Sequence, residues 1–289
     1  MSCFQASAMV EGSHLRMFEV PQCNYNVSLV TIYPVFAAHQ VEWNIMGKTM
    51  PWWSVLSGEA KTTDISPANK AEFYRSGSRH ISEVKPANEL AGKRVLDFGC
   101  GLGRLAFAFA NDLGASVTCV DQSVHHLKVA EAEWPGQRST ATKGDVEFVV
   151  SSPDLLANMG ARRFDFIHSV IVLQHMVPAL QVIYLEQFCD LLADGGTGWV
   201  QVPHKTDDEG CDFDKSISTG GLQMHHTPIR FISMAMRRRG CAVRVRDAGT
   251  KHVGGNMRSA IIRFSKREAG ASTNGGKSIS ERAAASMGL

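Results

Sequence analysis

The chain has 289 residues, enough to bury roughly three quarters of its unfolded surface in one large domain carrying an extension. Its net charge of +2 removes any global electrostatic case for a nucleic-acid partner or an anionic membrane surface. Seven scattered cysteines with no Cys-x-x-Cys pair argue against a disulfide framework or a zinc site.

Residues 1–90 contain Pro21, Pro34, Pro51 and Pro67, and three of the five tryptophans (Trp43, Trp52 and Trp53). They show no alternation of strand and helix patterns. This segment is expected to be an N-terminal extension of short helices and loops that packs on the main domain and lids its active site. Its first dozen residues are expected to be mobile.

From Arg94 the pattern becomes regular. Strands are predicted at 94–98, 116–120, 146–150, 164–169, 197–202, 242–247 and 258–264, and helices at 103–113, 123–133, 153–159, 178–193 and 228–239. Such alternation implies right-handed βαβ crossovers and a parallel sheet covered on both faces. Ala248 to Met257 is too short for a helical crossover, so the last strand should run antiparallel to its neighbour. The expected fold is α/β and Rossmann-like: seven mostly parallel strands between helices, spanning residues 91–267. The tail 268–289, rich in Gly, Ser and Ala, reads as flexible. Arg237, Arg238 and Arg239 read as a solvated helix end whose cations sit at the negative dipole pole.

The most informative stretch is Arg94-Val-Leu-Asp-Phe-Gly-Cys-Gly-Leu-Gly-Arg104. Val95, Leu96 and Phe98 form a buried strand. Gly99, Gly101 and Gly103 then make a turn in which backbone can approach a ligand with no Cβ in the way. Eighteen residues past Gly103, Asp121 closes the next apolar strand, with Gln122 beside it. A carboxylate there can accept hydrogen bonds from both hydroxyls of a ribose lying over the turn. Together these features indicate a nucleoside-containing cofactor. A dinucleotide fingerprint needs Gly-x-Gly-x-x-Gly. Here the third glycine comes one position early, Arg104 occupies the place of a small residue, and Asp97 lies outside that pattern.

The string from Val95 to Arg104, with Asp121 at its distance, resembles the first motif of class I S-adenosylmethionine-dependent methyltransferases. The resemblance covers residues 94 to about 264. It implies S-adenosylmethionine as cofactor and a small-molecule methyl acceptor, with no nucleic acid and no membrane. Trp43, the run Phe73 to Gly77 and Leu173-Gln174-His175 resemble a bacterial small-molecule type within the superfamily. The implied cofactor residues are Asp97, Gly99, Cys100, Gly101, Gly103, Asp121, Gln122, Ser152, Ser169 and Arg75. After the third predicted strand the family carries an acid that meets the adenine amino group; here Ser152 holds that place and Asp154 comes two residues late. Ser152 Oγ or a backbone carbonyl then serves, or Asp154 caps the next helix. Backbone near Ser169 to Ile171 is implied to line the methionine part.

Several side chains carry two readings. His175 orients the acceptor or removes its proton, or else packs within the turn before a helix. His204 borders the same crevice or is structural. One of His225 and His226 contacts substrate from a glycine-rich loop, and no acidic partner at helical spacing makes them a metal pair. Arg75 or Arg79 pairs with the methionine carboxylate or lies on the surface. Trp43, Trp52, Trp53 and Tyr74 wall the site, where aromatic faces favour a sulfonium, or form the core of the extension. Asp97 binds the cofactor amino group or pins the glycine turn. The expected activity is in-line methyl transfer, with His175 as base if the acceptor is protonated. A nicotinamide-dependent oxidoreductase and a non-catalytic S-adenosylmethionine-binding regulator are the alternatives. The location is expected to be cytoplasmic, and monomer or homodimer is left open.

Overall fold

The computed structural model describes residues 16–20, 23–27, 29–56, 64–84, 90–141, 144–204, 223–251 and 257–266. The first dozen residues, most of the loop from Thr206 to Thr227, and the tail from Glu268 lie outside these.

Seven strands form the central sheet: β3 (Arg94–Phe98), β4 (Ser116–Asp121), β5 (Asp145–Val150), β6 (Phe164–Ser169), β7 (Leu192–His204), β8 (Cys241–Asp247) and β9 (Arg258–Lys266). Their spatial order is β5-β4-β3-β6-β7-β9-β8. The first five run parallel to one another, whereas β9 enters antiparallel to both β7 and β8. The expected fold is therefore present, including the reversed last strand. Strand order turns back between β3 and β6, which opens a crevice beyond their carboxyl ends.

Alternating strand residues feed two cores. Leu96, Phe98, Val120, Ile167 and Val200 face one side, under α7 (Pro178–Leu191) and α8 (Ile229–Arg238). Val95, Val117, Cys119, Phe166 and Trp199 face the other, under α4 (Arg104–Leu113). Gly114 ends α4 in the left-handed conformation (φ 65°), and its N–H bonds the Ala110 carbonyl. Arg237 and Arg238 close α8 as an exposed helix end, whereas Arg239 departs from that expectation and turns inward to Asp190 at 3.0 Å, its Nε and Nη2 buried.

The extension differs from the expectation of short helices and loops. It contains an antiparallel hairpin, β1 (Arg16–Val20) and β2 (Cys23–Val27), and a 21-residue helix, α1 (Leu29–Thr49). Pro34 lies inside α1, early enough that its missing N–H interrupts only the first turns. Two shorter helices come next, α2 (Pro51–Val55) and α3 (Pro67–Val84). On α3, Phe73, Tyr74, Gly77, Ile81 and Val84 are buried. Gly77 is where α3 meets α4: a Cβ there would sit 2.2 Å from the Arg104 carbonyl oxygen. The elements α5 (Val124–Gln137) and α6 (Leu155–Met159) complete the domain. No described helix is long and apolar enough to cross a membrane.

Candidate active site

The turn after β3 is held by the neighbouring strand. Gly99 and Cys100 both donate their N–H groups to the Val120 carbonyl, at 2.7 and 3.0 Å. Gly99 (φ 74°) and Gly101 (φ 54°) occupy left-handed backbone, and a Cβ on Gly99 would meet Val172 at 2.2 Å. Gly103 caps α4. The carboxylate of Asp121 ties the turn to the start of α5: Oδ2 accepts from Gly101 N–H at 2.9 Å and Oδ1 from Ser123 N–H at 2.8 Å. Each oxygen keeps a lone pair for a ligand hydroxyl.

Above this turn lies a cavity that opens to solvent at its mouth. Its floor is Asp97 to Gly101, Arg104, Asp121, Gln122 and Ser151; its far side is Val170 to Val172 and Met176; its roof includes Trp43 from α1 and Ser54 and Val55 from α2. The sequence-derived residues Asp97, Gly99, Cys100, Gly101, Asp121 and Gln122 thus come together.

Four do not line it as expected. Arg75 is exposed on the outer face of α3 and pairs with Glu72 at 2.5 Å, as does Arg79. Arg104, in the first turn of α4, supplies the guanidinium instead. Ser152 turns away, its hydroxyl shared between the Asp154 carbonyl (2.8 Å) and Asn158 Oδ1 (2.5 Å), so Ser151 takes its place at the wall. Asp154 stands at the N-cap of α6 without a capping hydrogen bond. Ser169 is buried behind the wall, and Gly103 is spent on the helix cap. The backbone just past Ser169 carries strain: Ile171, β-branched, has φ 61°, and its N–H is held by Gln201 Oε1 at 2.9 Å.

His175 is also not among the cavity-lining side chains. Its ring meets the edge of Trp43 at 5.4 Å. Its Nδ1–H donates to the Gln223 carbonyl (3.3 Å), and Nε2 accepts from the Gln174 amide (3.2 Å). Burial pulls its pKa down to about 4, reinforced by His39 and His225. With both ring nitrogens engaged, the ring packed outside the cavity lining and its affinity for a proton lowered, the geometry fits the structural reading better than a base facing the acceptor. His39 supports the same corner: it takes a hydrogen bond from Gln122 Nε2 at 3.0 Å and donates to the His175 carbonyl. His126, unforeseen from sequence, lines the cavity, and burial lowers its pKa too. Trp52 and Tyr74 are core: Trp52 packs edge-on against Phe73 at 5.2 Å, and Tyr74 stacks on Phe107 at 5.3 Å. His204 faces Asp247 at 3.6 Å, outside the cavity.

Whether a charged nucleoside cofactor suits this cavity is answered by its unmade hydrogen bonds. Four cavity-lining side chains hold buried polar atoms with no hydrogen-bond partner among the described residues: Asp97 Oδ2, Arg104 Nε, Trp43 Nε1 and His126 Nδ1. Each such atom costs about 1–3 kcal/mol unless a ligand satisfies it. One anion and one cation among them match the ammonium and carboxylate of an amino-acid zwitterion. Burial lowers the Arg104 pKa to about 10, still fully charged at neutral pH, and Asp97 opposes that shift. Arg104 had a sequence signal, a charge directly after the glycine turn at the head of the apolar run Leu105 to Ala110.

Residues 95–196 match the family model described as a methyltransferase domain. These residues form a methyltransferase domain of the class I S-adenosylmethionine-dependent type. Over 158 residues the chain is 32% identical to a ubiquinone biosynthesis O-methyltransferase of Paracidovorax citrulli. That match covers 49% of this chain and 63% of the relative, so the chain spans less than two thirds of that relative's length. A magnesium protoporphyrin IX methyltransferase from Synechocystis PCC 6803, solved with bound S-adenosylmethionine, shares the methyltransferase fold with a TM-score of 0.55 at 15% identity, covering 80% of this chain and 97% of that one. A [4+2]-cyclase shares it as well, with a TM-score of 0.51 at 13% identity, covering 82% and 96%. At such identities likeness shows the fold alone. Neither the nicotinamide alternative nor the non-catalytic one gains support from the family match.

Proposed function

We propose that the chain transfers a methyl group from S-adenosylmethionine to a hydroxyl oxygen of a small molecule by in-line displacement: the oxygen–methyl bond forms as the sulfur–methyl bond breaks, S-adenosylhomocysteine leaves, and the hydroxyl proton passes to water before the acceptor is enclosed. The observation that carries this reading is that an acid and a cation, Asp97 and Arg104, line one cavity beside the Asp121-braced glycine turn, each with a buried side-chain polar atom that lacks a partner among the described residues. The O-methyltransferase name of the 32% identical relative supports the choice of oxygen. When bound, the cofactor supplies a methyl group already activated by its sulfonium. Asp121 receives the ribose hydroxyls on its free lone pairs, while Gln122 and Ser151 border the adenine side. Asp97 holds the ammonium and Arg104 the carboxylate. The strained segment Val170 to Val172 and Met176 presents apolar surface to the reacting carbon and excludes water from it.

The extension acts as a lid in this reading, with Trp43 and Val55 closing the roof, and selects the acceptor. The four described cysteines, Cys100, Cys119, Cys189 and Cys241, are free and buried, which supports a reducing, cytoplasmic setting. The decisive test is calorimetric titration with S-adenosylhomocysteine and with NAD, and then transfer of labelled methyl from S-adenosylmethionine to a panel of phenols and other hydroxyl acceptors. Binding of S-adenosylhomocysteine but not NAD, with label recovered in an ether product, is expected. Absence of S-adenosylhomocysteine binding refutes the proposal.

A further inference from the structure

Asp97 has two carboxylate oxygens with different fates. Asp97 lines the cavity; its Oδ2 is buried with no partner among the described residues, and Oδ1 lies 3.0 Å from Nδ1 of His168. His168 is completely buried and is the cross-strand partner of Asp97 on β6, so both side chains stand on the same face of the sheet. The next strand places Trp199 beside His168 in register, and the two rings stack at 5.2 Å with planes 14° apart. Phe109 of α4 closes on the ring from another side at 5.3 Å. Nε2 of His168 lies 3.2 Å from Nε2 of His80, which comes from α3 in the extension.

The proton positions are set by the partners. A carboxylate can only accept, so His168 donates through Nδ1–H; its Nε2 then accepts from His80 Nε2–H. The row runs from cavity to extension as Asp97, His168, His80. Nothing about the glycine turn requires a histidine here. An aliphatic residue would fill the space between Trp199 and Phe109, yet would leave Oδ1 free to rotate toward the cavity and Oδ2 away from it.

We propose that His168 is a positioning residue that fixes the Asp97 carboxylate for an amino-acid ammonium, and that His80 on α3 sets the ring of His168. The extension thereby acts on the cavity floor through the sheet as well as on its roof. This inference rests on the S-adenosylmethionine reading of the cavity.

The test compares two ligands on four proteins by calorimetry: S-adenosylhomocysteine, which carries the ammonium, and 5′-methylthioadenosine, which carries the nucleoside and sulfur alone. In wild type the first should bind more tightly. His168→Leu should weaken S-adenosylhomocysteine about tenfold and leave methylthioadenosine within about twofold, the scale of one charge-assisted hydrogen bond misplaced. His168→Asn places an amide N–H near the former Nδ1 and should restore affinity to within about threefold of wild type. His80→Phe, at a half-buried position that puts the fold at less risk, should cost about threefold on S-adenosylhomocysteine alone. Equal loss of both ligands, loss of neither, or Asn performing no better than Leu overturns the inference and leaves the proposed function standing. A wild-type chain that does not bind S-adenosylhomocysteine overturns both.

Discussion

The floor and the roof of the cavity are built from opposite materials. The floor uses strand ends, backbone and charge: Asp121 is braced by two N–H groups, Asp97 by His168, and the turn by Val120. The roof uses α1 and α2, whose contributions are an indole, a hydroxyl and a valine, backed by histidines that burial keeps neutral. In the proposed reading, the acids that meet the cofactor sit at strand ends, where geometry is set by pairing, with Arg104 at the start of the helix that follows the turn. Recognition of the acceptor is then left to side chains on the helices of the roof.

Four measurements put that contrast at risk. The largest effect is expected on the floor: Asp121→Ala strips acceptors from Gly101 and Ser123 as well as from the ligand. S-adenosylhomocysteine affinity should fall by about 100-fold or more, from several charge-assisted bonds lost together. A wild-type dissociation constant in that variant would remove the floor's assigned role.

The second concerns the neutral histidines. The unfolded chain protonates His175 near its ordinary value of 6.5, whereas the native state does so only near 4. Stability from this site is thus fully present above pH 6.5 and is lost as pH falls toward 4, by about 2–3 kcal/mol. Burial lowers the pKa of His39 and His126 as well, so they add in the same direction. Denaturant midpoints at pH 7.5 and 5.0 should differ clearly in wild type and less in His175→Asn; parallel curves would contradict a buried, neutral ring.

Third, Gly77→Ala drives a Cβ against the Arg104 carbonyl at 2.2 Å and should cost about 2 kcal/mol, read as a lowered Tm. Were Tm unchanged, α3 and α4 would not approach so closely in solution. The smallest effect belongs to the roof. Trp43→Phe removes the orphaned Nε1–H but keeps an aromatic ring, so S-adenosylhomocysteine affinity should stay within about twofold while the KM for the acceptor rises about threefold, one modest hydrogen bond. A larger loss of cofactor than of acceptor binding would reverse the division between floor and roof.

Much of the floor was legible because its residues are contiguous. Short-range rules, an apolar strand, a glycine turn and a carboxylate at the next strand end, determine Asp97 to Gly101 and Asp121 with little help from tertiary packing. Arg75 was misassigned for a reason its own helix displays. Phe73, Tyr74, Gly77 and Ile81 turn inward at helical spacing, which sends Glu72, Arg75 and Arg79 outward together. Ser151 and Ser152 are one residue apart in an irregular segment, where no periodicity says which faces the ligand. His175, His39 and Trp43 form a corner from residues far apart in sequence, and their neighbours appear only once α1 is docked. The hairpin at Arg16–Val20 and Cys23–Val27 was missed although Cys23-Asn-Tyr-Asn-Val27 alternates apolar and polar residues over a strand's length.

The strand β9 slots between β7 and β8, pairing along Thr197 to His204 on one side and Cys241 to Asp247 on the other. During synthesis the ribosome must therefore deliver residues 258–266 before β7 gains its outer neighbour. Until then Val200 and Val202 sit on an open sheet edge, the arrangement most apt to recruit strands from other nascent chains. Truncations that stop short of Arg258 should consequently accumulate as insoluble material even though every cavity-lining residue has already been translated.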